Sequence, residues 1–216
     1  MNNKPFIRAT TLLAIALITL ALPACSASSQ GLSSRNFDTP TEKPSMATAP
    51  TVNVDLSVDA AYAAIPHKRT AMDFAASTMT EPNKRFLEVA FHLIDQAIRV
   101  RVSAYRKFSR GELSDVTIAD FDLLIDYLEK TEAPAGLSNY RARLLQALSD
   151  QREFFQEWVK QGQPFADGGS VATNPKVQSA SNALRAAYGI LMELYPDETA
   201  TNKQAFFDYH CALDFL

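Results

Sequence analysis

The chain reads as an all-α protein, an up-and-down helical bundle of four main helices with shorter flanking helices. Three observations carry this reading. From about residue 58 onward, large apolar residues recur at intervals of three and four. The strict alternation that marks half-buried strands is nearly absent. Proline, glycine, asparagine, serine and threonine cluster where the apolar periods stop. The connections between periods are short, which favours antiparallel neighbours.

Each element follows from its own residues. The first segment, Val58 to Met79, is interrupted by Pro66, and a proline is tolerated in a first turn but breaks an interior, so a new helix is expected to begin there. The second runs from about Pro82 to Ser109. Its row of Leu87, Phe91, Ile94, Ile98, Val102 and Tyr105 is widened by Ala90, Leu93 and Ala97, and Gly111 stops it. The third, about Ile118 to Lys130, turns Ile118, Phe121, Leu124, Ile125 and Leu128 inward, with Thr117 as its expected N-cap. Pro134 and Gly136 make a turn. The fourth, about Asn139 to Gln161 behind Ser138, carries Tyr140, Leu144, Leu148, Phe155 and Val159 on one face. Gln161 to Pro175 is the longest internal loop. In the fifth, about Pro175 to Tyr195, Asn174 is the cap and Pro175 sits in the first turn. The sixth is expected to start at Thr201, with Gln204 three residues on as a capping box, and to run to the C-terminus.

Residues before the bundle have a different character. Lys4 and Arg8 precede an apolar run, Leu12 to Leu22, too short to span about 30 Å of hydrocarbon as a helix. This is the layout of a secretory signal. Its end, Leu22-Pro23-Ala24-Cys25, resembles the lipobox of bacterial prolipoproteins, with Pro23 a departure from the small residue usual there. The resemblance covers about 25 residues. It implies cleavage before Cys25, acylation of Cys25, and, because Ser26 rather than aspartate follows, residence at the outer membrane with the domain in the periplasm. Residues 1–24 are then the signal peptide, 25–56 a lipid-anchored Ser/Thr/Pro-rich tether, and 57–216 the bundle. Stable anchoring takes more than one acyl chain, at about 0.8 kcal/mol per buried CH₂.

Removing residues 1–24 leaves 19 basic against 24 acidic residues, a net charge of −5. That balance excludes nucleic acid as an expected partner and excludes a basic membrane-binding face. The partners expected are the membrane, through Cys25, and an envelope protein. With Cys25 acylated, Cys211 is the one remaining thiol, so no disulfide framework is expected.

Four groups of side chains invite a chemical reading. In QAFFDYHCALDFL, residues 204–216, His210 shares a helix face with Phe206 and Leu213, and Cys211 follows it. His210 is either a histidine at the edge of the core or a metal or haem ligand. Cys211 is either a small hydrophobe or a reactive thiol. In IPHKRTAMDF, residues 65–74, His67, Lys68 and Arg69 sit where a helix N-terminus is expected. They either pair with carboxylates of another element or form an anion-binding spot. Glu88, His92 and Asp95 project from one face with Arg99 a turn further on, either as metal ligands or as an exposed stripe with an Asp95–Arg99 pair. Their i, i+4 spacing departs from the Glu-x-x-His of di-iron bundles. Asp122/Asp126 and Glu153/Glu157 read as solvated faces, and Phe154, Phe155 and Trp158 beside Arg152 read mostly as core. No cofactor is expected, with metal or haem the alternative through His67, His92 or His210. The nucleophile-elbow, P-loop, zincin and dinucleotide signatures are all missing. The function expected is therefore a non-catalytic binding or scaffold module, with an enzyme using the Gln161–Pro175 loop as a third possibility.

Overall fold

The computed structural model describes residues 42–65, 67–112, 114–161 and 171–215. Residues 1–41, with the expected signal peptide and Cys25, and residues 162–170 lie outside the described residues. Within them the fold is all-α, as expected. The helices are α1 (Val58–Ala63), α2 (Glu81–Ser109), α3 (Asp115–Lys130), α4 (Ser138–Gln161), α5 (Pro175–Leu194) and α6 (Ala200–Leu213).

Helix α2 organises the rest. Apolar residues around most of its circumference are buried, Phe86, Leu87, Val89, Phe91, Leu93, Ile94, Ile98 and Val100 among them, so it is wrapped on several sides rather than along one stripe. It packs against α1, α3 and α6; α3 packs on α4, α4 on α5, and α5 on α6. The last helix thus closes a circuit of neighbours back onto α2. Five helices of substantial length share in that circuit, one more than the four main helices expected, because α6 is a full wall.

Local signals account for several ends. Pro82 sits in the first turn of α2. At its other end Gly111 adopts φ 71°, its N–H bonds the Phe108 carbonyl at 2.9 Å, and the Glu112 N–H bonds that of Lys107 at 2.8 Å. That pair of bonds is the Schellman closure, and the positive φ is why glycine stands there. The Asn174 side chain accepts from the Lys176 N–H at 2.8 Å and Pro175 opens α5, as expected.

Three expected helix starts shift. Helix α3 begins at Asp115 behind Ser114, so Thr117 lies inside it. Helix α4 is entered through a 3₁₀ turn, Ala135–Leu137, and Ser138 is already helical, its hydroxyl donating back to the Ala135 carbonyl. Helix α6 is capped by Thr199, whose hydroxyl accepts from the Asn202 N–H at 3.2 Å, not by a box of Thr201 and Gln204. Gln204 instead donates to Asp208.

Two larger differences concern the N-terminal part. The expected tether reaches to residue 56, but residues 42–56 are packed on the domain. Glu42 exchanges backbone bonds with Lys130 and Glu132 at the end of α3, and Val52 is 2% exposed. The strap is held by the burial of its Val52 and Leu56 and by side chains of the domain. Tyr127 donates to the Ser45 carbonyl, His92 to that of Pro50, and Arg99 to those of Leu56 and Val54, while Gln96 accepts from the Val52 N–H. The second half of the first segment is also not a helix. Residues 67–80 run irregularly, and several of their backbone groups bond α6 or side chains of the segment itself instead of closing a helix. The Thr70 N–H donates to Asp208 at 3.1 Å and the Asp73 N–H to Asn202 at 2.7 Å; Asn202 returns a bond to the Asp73 carbonyl. The Ser77 hydroxyl donates to Glu198 at 2.6 Å.

Candidate functional site

Polar side chains gather in three places, two of them built from residues singled out in the sequence. The first is built on α2 and the segment that crosses it. Asp95 is 5% exposed and accepts from the Tyr62 hydroxyl at 3.1 Å, from Arg69 Nε at 3.2 Å and from Arg69 Nη2 at 2.6 Å. The Arg69 guanidinium lies over the rings of Tyr62 and Tyr209, 5.8 and 5.9 Å from their centroids. Burial pushes the Asp95 carboxyl up and the Arg69 and Tyr62 bonds oppose it; burial also pushes the Tyr62 hydroxyl up. The stripe of Glu88, His92, Asp95 and Arg99 is therefore not a free metal face, and Asp95 and Arg99 do not pair. Asp95 takes Arg69 as its partner, while His92, Gln96 and Arg99 hold the strap. His92 donates from Nε2 to the Pro50 carbonyl at 2.9 Å.

The second place is the C-terminal half of α6. His210 is 3% exposed, and its Nδ1–H donates to the Phe206 carbonyl at 2.6 Å. Its ring meets Phe91 and Tyr140 edge-on, with centroids 6.4 and 5.6 Å apart. Burial lowers its pKa to about 4, so the ring is neutral at pH 7. Its Nε2 and the Tyr140 hydroxyl are both buried without a partner. Cys211 is half-buried, and burial pushes its thiol up, away from the thiolate a nucleophile needs. Phe207, 46% exposed, stands at the edge of the ≈ 230 Å³ recess that His210 and Cys211 line.

The third place was not singled out by periodicity. Arg101, 4% exposed on α2, reaches the carbonyl end of α6. Its Nη2 donates to Ala212 at 2.5 Å, and its Nη1 donates to Leu213 at 3.4 Å and to the Asp214 carbonyl. Gln151 of α4 adds a bond to the Leu213 carbonyl at 2.8 Å. A cation at a helix C-terminus is electrostatically favourable, and here it stands in for the capping the last carbonyls would otherwise lack. Burial nevertheless lowers the Arg101 pKa to about 10, and its Nε has no partner. Beside Arg101 opens a recess of ≈ 430 Å³ that His67, Tyr105, Arg106, Asp214 and Phe215 also line. The structure thus brings His67 to two arginines of α2 and not to His210, which lines a different recess. A signal for Arg101 exists in the sequence: it continues the Ile94, Ile98 row at a spacing of three, with Tyr105 four further on, so a charge stands in an apolar row.

The remaining candidates are structural. Phe154 and Phe155 are fully buried and Trp158 is 3% exposed, within one aromatic cluster with Tyr105, Phe108 and Phe215. Arg152 pairs with Asp122 at 2.5 Å and Lys176 with Glu153, so these two acids tie α4 to α3 and to α5, while Lys130 and Asp126 pair at 2.7 Å within α3. Glu157 accepts from the Asn174 side chain at 3.3 Å. The Gln161–Pro175 loop lies mostly outside the described residues. Among the described residues, no group of three or more His, Cys, Asp or Glu is placed to hold a metal ion, and no helix is long and apolar enough to cross a membrane. No family model, curated protein or solved structure matches this chain.

Proposed function

We propose that the chain is a lipid-anchored envelope protein, acylated at Cys25, whose helical domain is a non-catalytic binding or scaffold module at the periplasmic face of the outer membrane. The lipobox-like Leu22-Pro23-Ala24-Cys25 supports the anchor. One observation carries the scaffold half. The segment nearest that anchor, residues 42–80, is fastened to α2, α3 and α6 by side chains that would otherwise be candidates for chemistry: His92, Asp95 and Arg99, with Asp208 opposite. Polar groups so engaged hold geometry rather than turn over substrate. Sixteen residues, 26–41, separate Cys25 from Glu42, which bounds the stand-off from the bilayer at about 55 Å if fully extended.

Two measurements test this. Labelled palmitate should enter the protein and be lost in Cys25→Ala, with the variant leaving the membrane fraction. In-cell cross-linking should retrieve one recurring envelope protein; recovery of the chain alone, time after time, counts against the reading. A second reading has one observation in its favour. The buried, unpartnered Nε2 of His210 is the kind of atom a metal or haem iron takes. Absorbance spectra and elemental analysis of the purified protein decide it; a colourless, metal-free protein whose melting temperature ignores chelators removes it.

A further inference from the structure

We propose that the ≈ 430 Å³ recess beside Arg101 binds a small amphipathic acid, an ionised carboxylate on an apolar body. The proposal rests on the reading of the domain as a binding module and names the class of ligand.

The charge balance of the lining comes first. Among the described residues, two guanidinium groups, Arg101 and Arg106, and the His67 imidazole face one carboxylate, Asp214. That carboxylate is already engaged, accepting from the Ser181 hydroxyl at 2.8 Å with Arg185 4.0 Å away. The Arg101 Nη atoms donate to carbonyl oxygens of α6, which carry partial charge, and among the described residues its full charge has no hydrogen-bonded counter-ion. Burial costs such a group most where no anion fully compensates it, and the Arg101 pKa is depressed by burial although the Asp214 charge opposes the shift. In a protein whose mature net charge is −5, a concave cationic site is out of character with the surface around it.

The walls decide the rest of the ligand. Ile65, Val102, Tyr105 and Phe215 are apolar, and the Tyr105 and Phe215 rings meet edge-on at 6.1 Å. Inorganic phosphate would leave these walls in contact with water. An acid with an aromatic or short aliphatic body would cover them while its head meets Arg106 at the exposed side. The volume falls in the range of small-molecule sites. Two other recesses among the described residues lack this combination. The ≈ 230 Å³ recess at His210 sets Arg185 against Asp214, and the ≈ 540 Å³ recess sets Lys43 and Arg85 against Glu132 without a buried cation.

The full chain carries its own reporter. Trp158 is its single tryptophan, and its ring lies 5.1 Å from that of Tyr105 in the recess wall. The experiment titrates the purified full-length protein with 3-phenylpropionate and with octanoate, and with their uncharged counterparts 3-phenylpropanol and octanol, following Trp158 fluorescence. At least one acid should saturate the signal and bind about tenfold more tightly than its alcohol, a difference of about 1.4 kcal/mol. Which acid binds better tells an aromatic from an acyl source. Added salt should weaken the acid and spare the alcohol. Arg106→Gln should weaken the acid about fivefold without touching the alcohol. Ala64→Phe, an exposed position at the recess, should remove binding of both. Lys130→Ala, away from the recess, should change neither. Equal affinity for acid and alcohol, or an acid affinity indifferent to Arg106→Gln, overturns the proposal. If no ligand binds while cross-linking still retrieves an envelope partner, the ligand is wrong and the binding-module reading stands. If both experiments are empty, both fall.

Discussion

Replacing His210 is expected to remove a large part of the domain's sensitivity to mild acid. Burial lowers the His210 pKa from 6.5 to about 4 in the folded protein, and the imidazole has Phe91, Tyr140 and its own helix around it. The unfolded chain takes up this proton near pH 6.5, the folded chain only near pH 4. Between those values the unfolded state holds more protons, so stability falls as pH falls. Above about pH 6.5 the group contributes no slope, and below about pH 4 its loss is complete. At 1.36 kcal/mol for each tenfold change in proton affinity, the displacement is worth about 3 kcal/mol. A domain of this size has a total stability of about 5–15 kcal/mol, so the effect is visible as roughly 10 °C in melting temperature.

The assay is urea unfolding followed by Trp158 fluorescence, at a series of pH values from neutral to mildly acid, for the natural chain and His210→Gln. Glutamine is similar in size and its amide can donate to the Phe206 carbonyl that Nδ1 now reaches. Two carboxyl groups also make stability depend on pH. Asp95, raised by burial, works in the opposite direction, gaining stability as pH falls. Glu198 is held below its ordinary value by the Ser77, Thr199 and Asn202 bonds despite burial, and it loses stability as pH falls. Both are common to the two proteins and cancel in the difference. The natural chain should lose about 3 kcal/mol more than the variant on crossing this window. Parallel curves, or a His210 resonance titrating near its ordinary value in the folded protein, would refute the reasoning.

Other outcomes follow from the packing. Phe155→Ala empties a fully buried position among Tyr105, Phe121, Phe154, Trp158 and Phe215, and should cost about 3–5 kcal/mol in chemical denaturation. Arg69→Met leaves the Asp95 carboxylate buried beside Tyr62 alone and should cost about 3 kcal/mol at neutral pH; because Asp95 can then take a proton, the loss should shrink as pH falls. Asp95→Leu should cost less than Arg69→Met, since the Arg69 side chain is 35% exposed and can be hydrated. Thr199→Ala should cost about 1 kcal/mol and Thr201→Ala within about 0.5 kcal/mol, which a pair of melts resolves, because Thr199 makes the capping bond of α6.

Physical range separates what the sequence discloses from what it hides. The ends of α2 and α5 are legible because their determinants are neighbours in the chain: Gly111 closes on Lys107 and Phe108, and Asn174 reaches Lys176. The inward rows of α3 and α4 are legible because periodicity is a property of one helix. Residues 67–80 are not legible in this way. Their backbone is held at Thr70 and Asp73 by Asp208 and Asn202, more than 120 positions away, and no local pattern announces such partners. The same cause hid the use of α2's polar face. His92, Gln96 and Arg99 stand at i, i+4 and i+7, a spacing that says only that they share a side. Whether that side meets water or a strap depends on residues 42–56, whose Ser, Thr, Ala and Pro content reads as unpacked chain. The receiving surface offers donors to the strap's backbone, at the carbonyls of Pro50, Val54 and Leu56, while Val52 and Leu56 supply the few apolar contacts. Low hydrophobicity in a segment therefore argues against a core of its own, and not against docking onto a helix that presents hydrogen-bond donors at the pitch of the passing backbone. Arg101 obeys the same logic inside the core: its charge is intelligible only once the carbonyl end of α6 is placed beside it.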